Sequence, residues 1–186
     1  MDIAIDITNT VLETERLILR PWLETDADDM YEYASVPGVG EMAGWKHHEN
    51  KEETTRIIKS FIASKEVLAI VYKENNKVIG SIGLHQSWAN ADERYKELKQ
   101  KEIGYVLAKD YWGRGLVPEA VKRLIAYCFD DCGMEALTVC HFSFNQQSRR
   151  VIEKCGFTFV ERKETYLEQL GVTYESLQYI LLKEKA

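Results

Sequence analysis

The chain has 186 residues, 45% hydrophobic and 29% charged, the balance of a soluble globular protein able to bury one core, so a single domain over 1–186 is expected. Its longest apolar run, 67–72, is far short of the roughly 18 residues that a membrane span needs. A formal net charge of −6 without a basic stripe argues against a nucleic-acid binder and leaves cationic acceptors such as amines open.

Residues 1–10 include Asp2 and Asp6 and no Lys or Arg, so they lack the basic start of a secretory signal. Residues 12–22 alternate, Leu17 and Leu19 against Arg16, Ile18 and Arg20, and predict a strand closed by Pro21. A short helix follows over 26–34, with acids in its first turn. A turn-rich loop, 37–44, and a polar-aromatic stretch, 45–50, lead to a helix over 51–64. Asn50 is its predicted cap, and Ile57, Ile58, Phe61 and Ile62 share one face. Strands are predicted at 67–72 and 78–84 with an Asn75-Asn76 turn between them. A charged connection, 87–100, precedes a strand at 102–107. Glycines at 113 and 115 mark a tight turn into a helix reaching about 131, whose apolar stripe includes Val117, Val121, Leu124, Ile125 and Cys128. The remaining elements are a strand at 136–142, a helix over 145–155 stopped by Gly156, and a strand pair at 157–163 and 174–182. Hairpins in the first half and a β-α-β-α unit in the second make a mixed α/β sheet, with parallel strands where the crossover lies.

The four cysteines, Cys128, Cys132, Cys140 and Cys155, include no CxxC pair. Neither a metal site nor a disulfide is expected, and small buried thiols in the reducing cytoplasm are.

The chemistry concentrates between 102 and 157. In Trp112-Gly113-Arg114-Gly115-Leu116-Val117 the glycines allow a sharp turn, and the helix behind it starts with outward-facing amides. A pyrophosphate fits such a helix start. Pro118 suits the first turn, where no N–H is needed. A plain strand-to-helix turn would use the same glycines. The segment is neither a Walker loop nor a dinucleotide fingerprint, because no Gly-Lys-Ser/Thr follows and position 118 is proline.

Glu102-Ile103-Gly104-Tyr105-Val106-Leu107, Tyr111-Trp112-Gly113-Arg114-Gly115 and Glu119-Ala120 together resemble the acetyl-CoA motif of the GNAT superfamily, most nearly its RimJ/RimL type, which acetylates protein N-termini and related amines. In the pattern Q/R-x-x-G-x-G/A, Trp112 takes the first place and Gly115 the fourth. Val117 stands where Gly or Ala is commoner. A second block, Asn145-Gln146-Gln147-Ser148 followed by Val151, Glu153-Lys154 and Cys155-Gly156-Phe157, resembles the family's N-x-x-S…V…EK-x-GF segment. The resemblance implies a central, mixed, mostly antiparallel twisted sheet of about seven strands flanked by about four helices, with a splayed parallel pair. It implies an N-acetyltransferase that uses acetyl-CoA as co-substrate, without a metal, as a monomer or homodimer. The acceptor is then a primary amine, most simply a protein N-terminal α-amine. A small-molecule acceptor (polyamine, amino acid or antibiotic) and a non-catalytic coenzyme A sensor are the alternatives.

The resemblance also distributes roles. The backbone of Tyr105, Val106 and Leu107 would meet the pantetheine, and the Leu107 amide would polarise the thioester carbonyl. Gly113, Arg114, Gly115, Leu116 and Val117 would hold the pyrophosphate, and Trp112 is a further coenzyme-binding residue. Asn145 would bond the pantetheine arm, or simply cap its helix. Ser148 would stand near the sulfur and protonate the departing thiolate, or face solvent. Lys154, with Arg149 and Arg150, would meet the ribose 3′-phosphate, or form a solvated face. Glu102 is the first candidate for the general base and Glu164 the second. His48 and His85 are further candidates, and Trp45 and Trp88 candidate walls of the acceptor site.

Overall fold

The computed structural model describes residues 1–184. The stretch predicted as one strand over 12–22 is two strands, β1 (Leu12–Glu13) and β2 (Leu17–Pro21). Between them Thr14 N–H donates to the Leu17 carbonyl, and Leu17 N–H donates to Thr14 Oγ1. The break has a long-range cause. Glu119 Oε1 accepts from Thr14 Oγ1 at 2.5 Å and from Arg16 N–H at 2.9 Å, and its Oε2 accepts from Arg16 Nε at 2.8 Å. The chain reverses there to bring these donors to one carboxylate.

Helices α1 (Ala27–Ala34) and α2 (Lys51–Ser64) follow. Asn50 caps α2 as predicted, its Oδ1 accepting from Glu53 N–H at 2.9 Å. Ile58 is fully buried, and Ile57 and Phe61 pack against the core beside it. Strands β3 (Val67–Tyr72) and β4 (Lys77–His85) form the predicted hairpin, with Asn76 at φ 56° in the left-handed conformation that asparagine tolerates. Next comes β5 (Gln100–Leu107). It starts two residues earlier than predicted, because buried Gln100 is bound by Ser87 Oγ and by the Tyr95 carbonyl. Helix α3 (Leu116–Ala126) runs into a π-helical turn over Tyr127–Asp131. Strand β6 (Ala136–Phe142) and helix α4 (Gln146–Lys154) match the expectation. The last hairpin, β7 (Thr158–Leu167) and β8 (Val172–Leu182), is longer than predicted. Exposed along most of its length, β7 lacks the apolar alternation that marks a strand in a sequence.

The eight strands form one sheet in the order β1-β2-β3-β4-β5-β6-β8-β7. The expected mixed, mostly antiparallel sheet with four α-helices is present, and the strand count exceeds the expected seven because of the split at 14–16. Its one parallel pair is β5–β6. Registers Val67↔Gly83 and Gly83↔Gly104 put these residues on one face, toward Phe61 of α2. Tyr105 points to the opposite face, where its hydroxyl reaches Ser148 on α4.

The grip on Glu119 links the β1–β2 turn to the first turn of α3. Glu119→Ala would strand the Thr14 and Arg16 donors, so a loss of about 1–2 kcal/mol is expected in urea unfolding. Unchanged stability would show that solvent replaces these bonds.

A candidate active site at the splayed strand pair

The parallel pairing of β5 with β6 covers only Gln100↔Ala136, Lys101↔Leu137 and Glu102↔Thr138. Beyond it the strands part, and a cleft of about 660 Å³ opens through the sheet. One side of the cleft is lined by Glu102, Gly104 and His85, the other by Tyr105, Leu107 and residues of α3 and α4. Ala108 N–H donates to the Ile79 carbonyl, so antiparallel alternation directs the amides and carbonyls of Tyr105 and Leu107 toward the gap. The Leu107 carbonyl is taken by Trp112 Nε1 at 2.8 Å, which ties the strand end to the glycine turn.

In that turn Gly113 and Gly115 have φ of 76° and 75°. A Cβ on Gly113 would meet nothing within 4 Å, and one on Gly115 would meet only Arg16 Nη2, at 3.7 Å. Glycine is therefore required by the left-handed backbone and not by crowding. Gly115 caps α3 without any side-chain hydrogen bond. The first-turn amides of Leu116 and Val117 thus stand at the cleft wall, which both residues line. Arg16 Nη1 donates to the Arg114 carbonyl at 2.9 Å and steadies the turn from outside. The Arg114 guanidinium lies over the ring of Tyr111, which lines the cleft, at 5.1 Å, but Arg114 itself is not among the lining residues.

At the start of α4, Asn145 Oδ1 accepts from Ser148 N–H at 3.0 Å, and its Nδ2 donates to the Met42 carbonyl at 3.2 Å. The side chain is a cap and also a tether to the loop after α1. Ser148 is buried, not solvent-facing, and its Oγ lies 2.7 Å from Tyr105 Oη. Arg150 and Lys154 line the cleft, whereas Arg149 pairs with Glu153 at 2.8 Å and does not.

Glu102 lies where the pairing stops. Thr138 Oγ1 and Trp88 N–H donate to its Oε2 at 3.3 and 3.4 Å, and Cys140 Sγ–H to its Oε1 at 3.4 Å. Desolvation raises its pKa above the ordinary carboxylate value, and these weak donors lower it only in part. Among the described residues it is the one carboxylate that lines the cleft. Across the strand from it, the His85 ring lies over Gly83 and Gly104, and a Cβ on either glycine would come within 2.9 Å of that ring. Trp45 lines the cleft; Trp88 does not, and packs edge-on against Tyr95. His48 is also outside the cleft, bonded to Thr54 Oγ1 at 2.8 Å. Glu164 sits on β7 opposite Glu175, exposed and away from the cleft.

Comparison with known proteins agrees with this geometry. The family model described as "Acetyltransferase (GNAT) domain" matches residues 16–158. The chain belongs to the GNAT acetyltransferases. The protein described as "Uncharacterized N-acetyltransferase YoaA" of Bacillus subtilis (strain 168) is 27% identical over 180 residues, 94% of this chain and 98% of YoaA. A GNAT-family acetyltransferase from Bacillus anthracis superposes with a TM-score of 0.80 at 20% identity, covering 93% of this chain and 98% of that one. The ribosomal-protein-S5-alanine acetyltransferase of Vibrio fischeri superposes with a TM-score of 0.70 at 17% identity, covering 93% and 96%.

As a GNAT enzyme the chain is an acetyl-CoA-dependent N-acetyltransferase. Several parts of its site had no separate signal in the sequence. Arg16 stands inside an apparently regular strand, and Thr138 and Cys140 look like ordinary strand residues. Only the fold brings them to Glu102 or to the glycine turn. Among the described residues, no three His, Cys, Asp or Glu side chains are placed to hold a metal ion, and the four cysteines are free thiols. No helix among them is long and apolar enough to cross a membrane.

The glycine requirement gives a direct test. Gly115→Val puts a branched side chain at φ 75°, at a cost of roughly 1–2 kcal/mol in the turn. Calorimetry is expected to show acetyl-CoA affinity reduced by at least about tenfold, since that energy alone approaches a decade. Thermal melting should show the protein still folded. An unchanged affinity would remove the turn from the coenzyme site.

Proposed function

We propose that this enzyme acetylates an α-amine, with a protein N-terminus as the favoured acceptor. The observation that supports this reading best is the charge of the acceptor side of the cleft. Among the described residues Glu102 is its only carboxylate, and the walls around it include Val39, Met42, Trp45, Phe61 and Phe142. A polyamine or aminoglycoside carries several cations, and each needs an anionic partner when taken out of water. One carboxylate suits one amine. The fold shared with the Vibrio fischeri ribosomal-protein-S5-alanine acetyltransferase is consistent with this. The apolar walls also favour a second reading, a small monoamine carrying an apolar group.

In the proposed chemistry the turn at 113–117 holds the pyrophosphate at the start of α3, with Arg150 and Lys154 toward the 3′-phosphate. The Leu107 amide polarises the thioester carbonyl. Glu102 takes the proton of the incoming ammonium, directly or through a water. An α-amine, with an ordinary pKa near ~8, asks less of that base than a lysine near ~10.4. The raised pKa of Glu102 narrows the gap further. Ser148 protonates the thiolate as it leaves. Asn145 supports coenzyme binding by fixing the start of α4 against the loop at Met42.

Acetyl-CoA consumption with peptides of free N-terminus, apolar monoamines, polyamines and aminoglycosides tests the acceptor. Turnover confined to the polycations would overturn the α-amine reading, and coenzyme binding without any turnover would favour a sensor. The base has its own test. Glu102 must be deprotonated to act, so kcat/KM is expected to rise with pH through a pKa above the ordinary carboxylate range. Glu102→Gln should lower kcat by about a hundredfold or more and abolish that limb. A variant that keeps the limb would assign it to another group, His85 first. Asn145→Ala should raise the KM for acetyl-CoA more than it lowers kcat, because it removes support common to ground and transition states.

A further inference from the structure

Tyr105 and Ser148 are brought together only by the fold. The Tyr105 hydroxyl lies 2.7 Å from Ser148 Oγ. Its next acceptor is the Ser148 carbonyl at 3.5 Å, the outer limit of a hydrogen bond. If Ser148 gave its proton to the phenol, the phenol proton would be left with that long contact alone. The phenol is also the more acidic of the two hydroxyls and so the better donor. Tyr105 therefore donates and Ser148 Oγ accepts. Ser148 is buried against the cleft that it lines, and its backbone N–H is held by Asn145 Oδ1. Its own O–H is left to turn into the cleft.

We propose that Tyr105 is a positioning residue for departure of the coenzyme A thiolate, its hydroxyl occupying a lone pair of Ser148 Oγ so that the serine proton is presented to the sulfur. This rests on the reading of Ser148 as the proton donor. The amine nitrogen bonds to the thioester carbon, and the carbon–sulfur bond breaks with its electron pair on sulfur. The Ser148 proton moves to that sulfur. The proton shed by the acylated nitrogen returns to Ser148 through solvent in the cleft, and the proton that Glu102 took from the ammonium passes to bulk solvent, the one proton released overall. Tyr105 keeps its proton throughout, because desolvation raises the phenol pKa above its ordinary value. Accepting a hydrogen bond also polarises the serine O–H and makes it a stronger donor.

A double-mutant cycle tests this with Tyr105→Phe, Ser148→Ala and the pair, in the full chain and with any accepted amine. Ser148→Ala is expected to lower kcat by about tenfold to a hundredfold, and Tyr105→Phe by about tenfold, with the KM for acetyl-CoA changed less than about threefold in each. The pair should be no slower than Ser148→Ala, because Tyr105 acts only through that serine. Multiplying losses, or full activity in Tyr105→Phe, would overturn the proposal while leaving Ser148 as donor. Full activity in Ser148→Ala would overturn both. Thermal melting establishes that each variant is folded. If Tyr105→Phe is not, Tyr105→Met, which lacks the hydroxyl and fills much of the same space, takes its place in the cycle.

Discussion

The structure turns on the parting of β5 from β6 after Glu102 and Thr138. A strand edge inside a sheet leaves amides and carbonyls that need partners. β5 keeps its ladder with β4 to Leu107, and β6 keeps its ladder with β8 to Phe142. The gap between them can therefore open without loosening either strand. Trp112 satisfies the Leu107 carbonyl from outside the sheet, and the remaining groups on that edge are the ones proposed to meet the coenzyme.

Three anchors set the width and shape of the gap. Glu119 gathers Thr14 and Arg16, so the β1–β2 turn braces the start of α3. Asn145 caps α4 and ties it to Met42, so the start of α4 is mechanically joined to the loop after α1. Glu102 closes the narrow end, held by long bonds from three weak donors. Desolvation in such surroundings raises its pKa, which is consistent with the general-base role proposed for it. The His85 ring beside it depends on Gly83 and Gly104 having no side chains.

Much of this was legible in order along the chain. The helix at 51–64 and the strands at 67–72 and 136–142 were clear because their apolar periodicity is local. The glycine turn was legible because glycine is the residue that takes φ near 75° freely, and its place before a helix is what made phosphate binding an expectation. The strand break at 14–16 was not legible, since it answers to a carboxylate 103 residues away. Nor was the length of β7, an exposed edge strand whose side chains follow no burial pattern.

The sequence by itself determined the order of the helices and of the strands after residue 16, the caps of α2 and α4, and the glycine turn before α3. Each of these rests on neighbours within a few residues. Tertiary structure alone decided which candidates share a cleft. It placed Glu102, His85, Trp45 and Ser148 there, and left Glu164, His48 and Trp88 outside. It also gave Ser148 a phenol as partner across 43 residues of chain. The physical reason is that a side chain's charge state and hydrogen-bond partners depend on what is packed around it, and that packing is set by pairings between strands far apart in sequence.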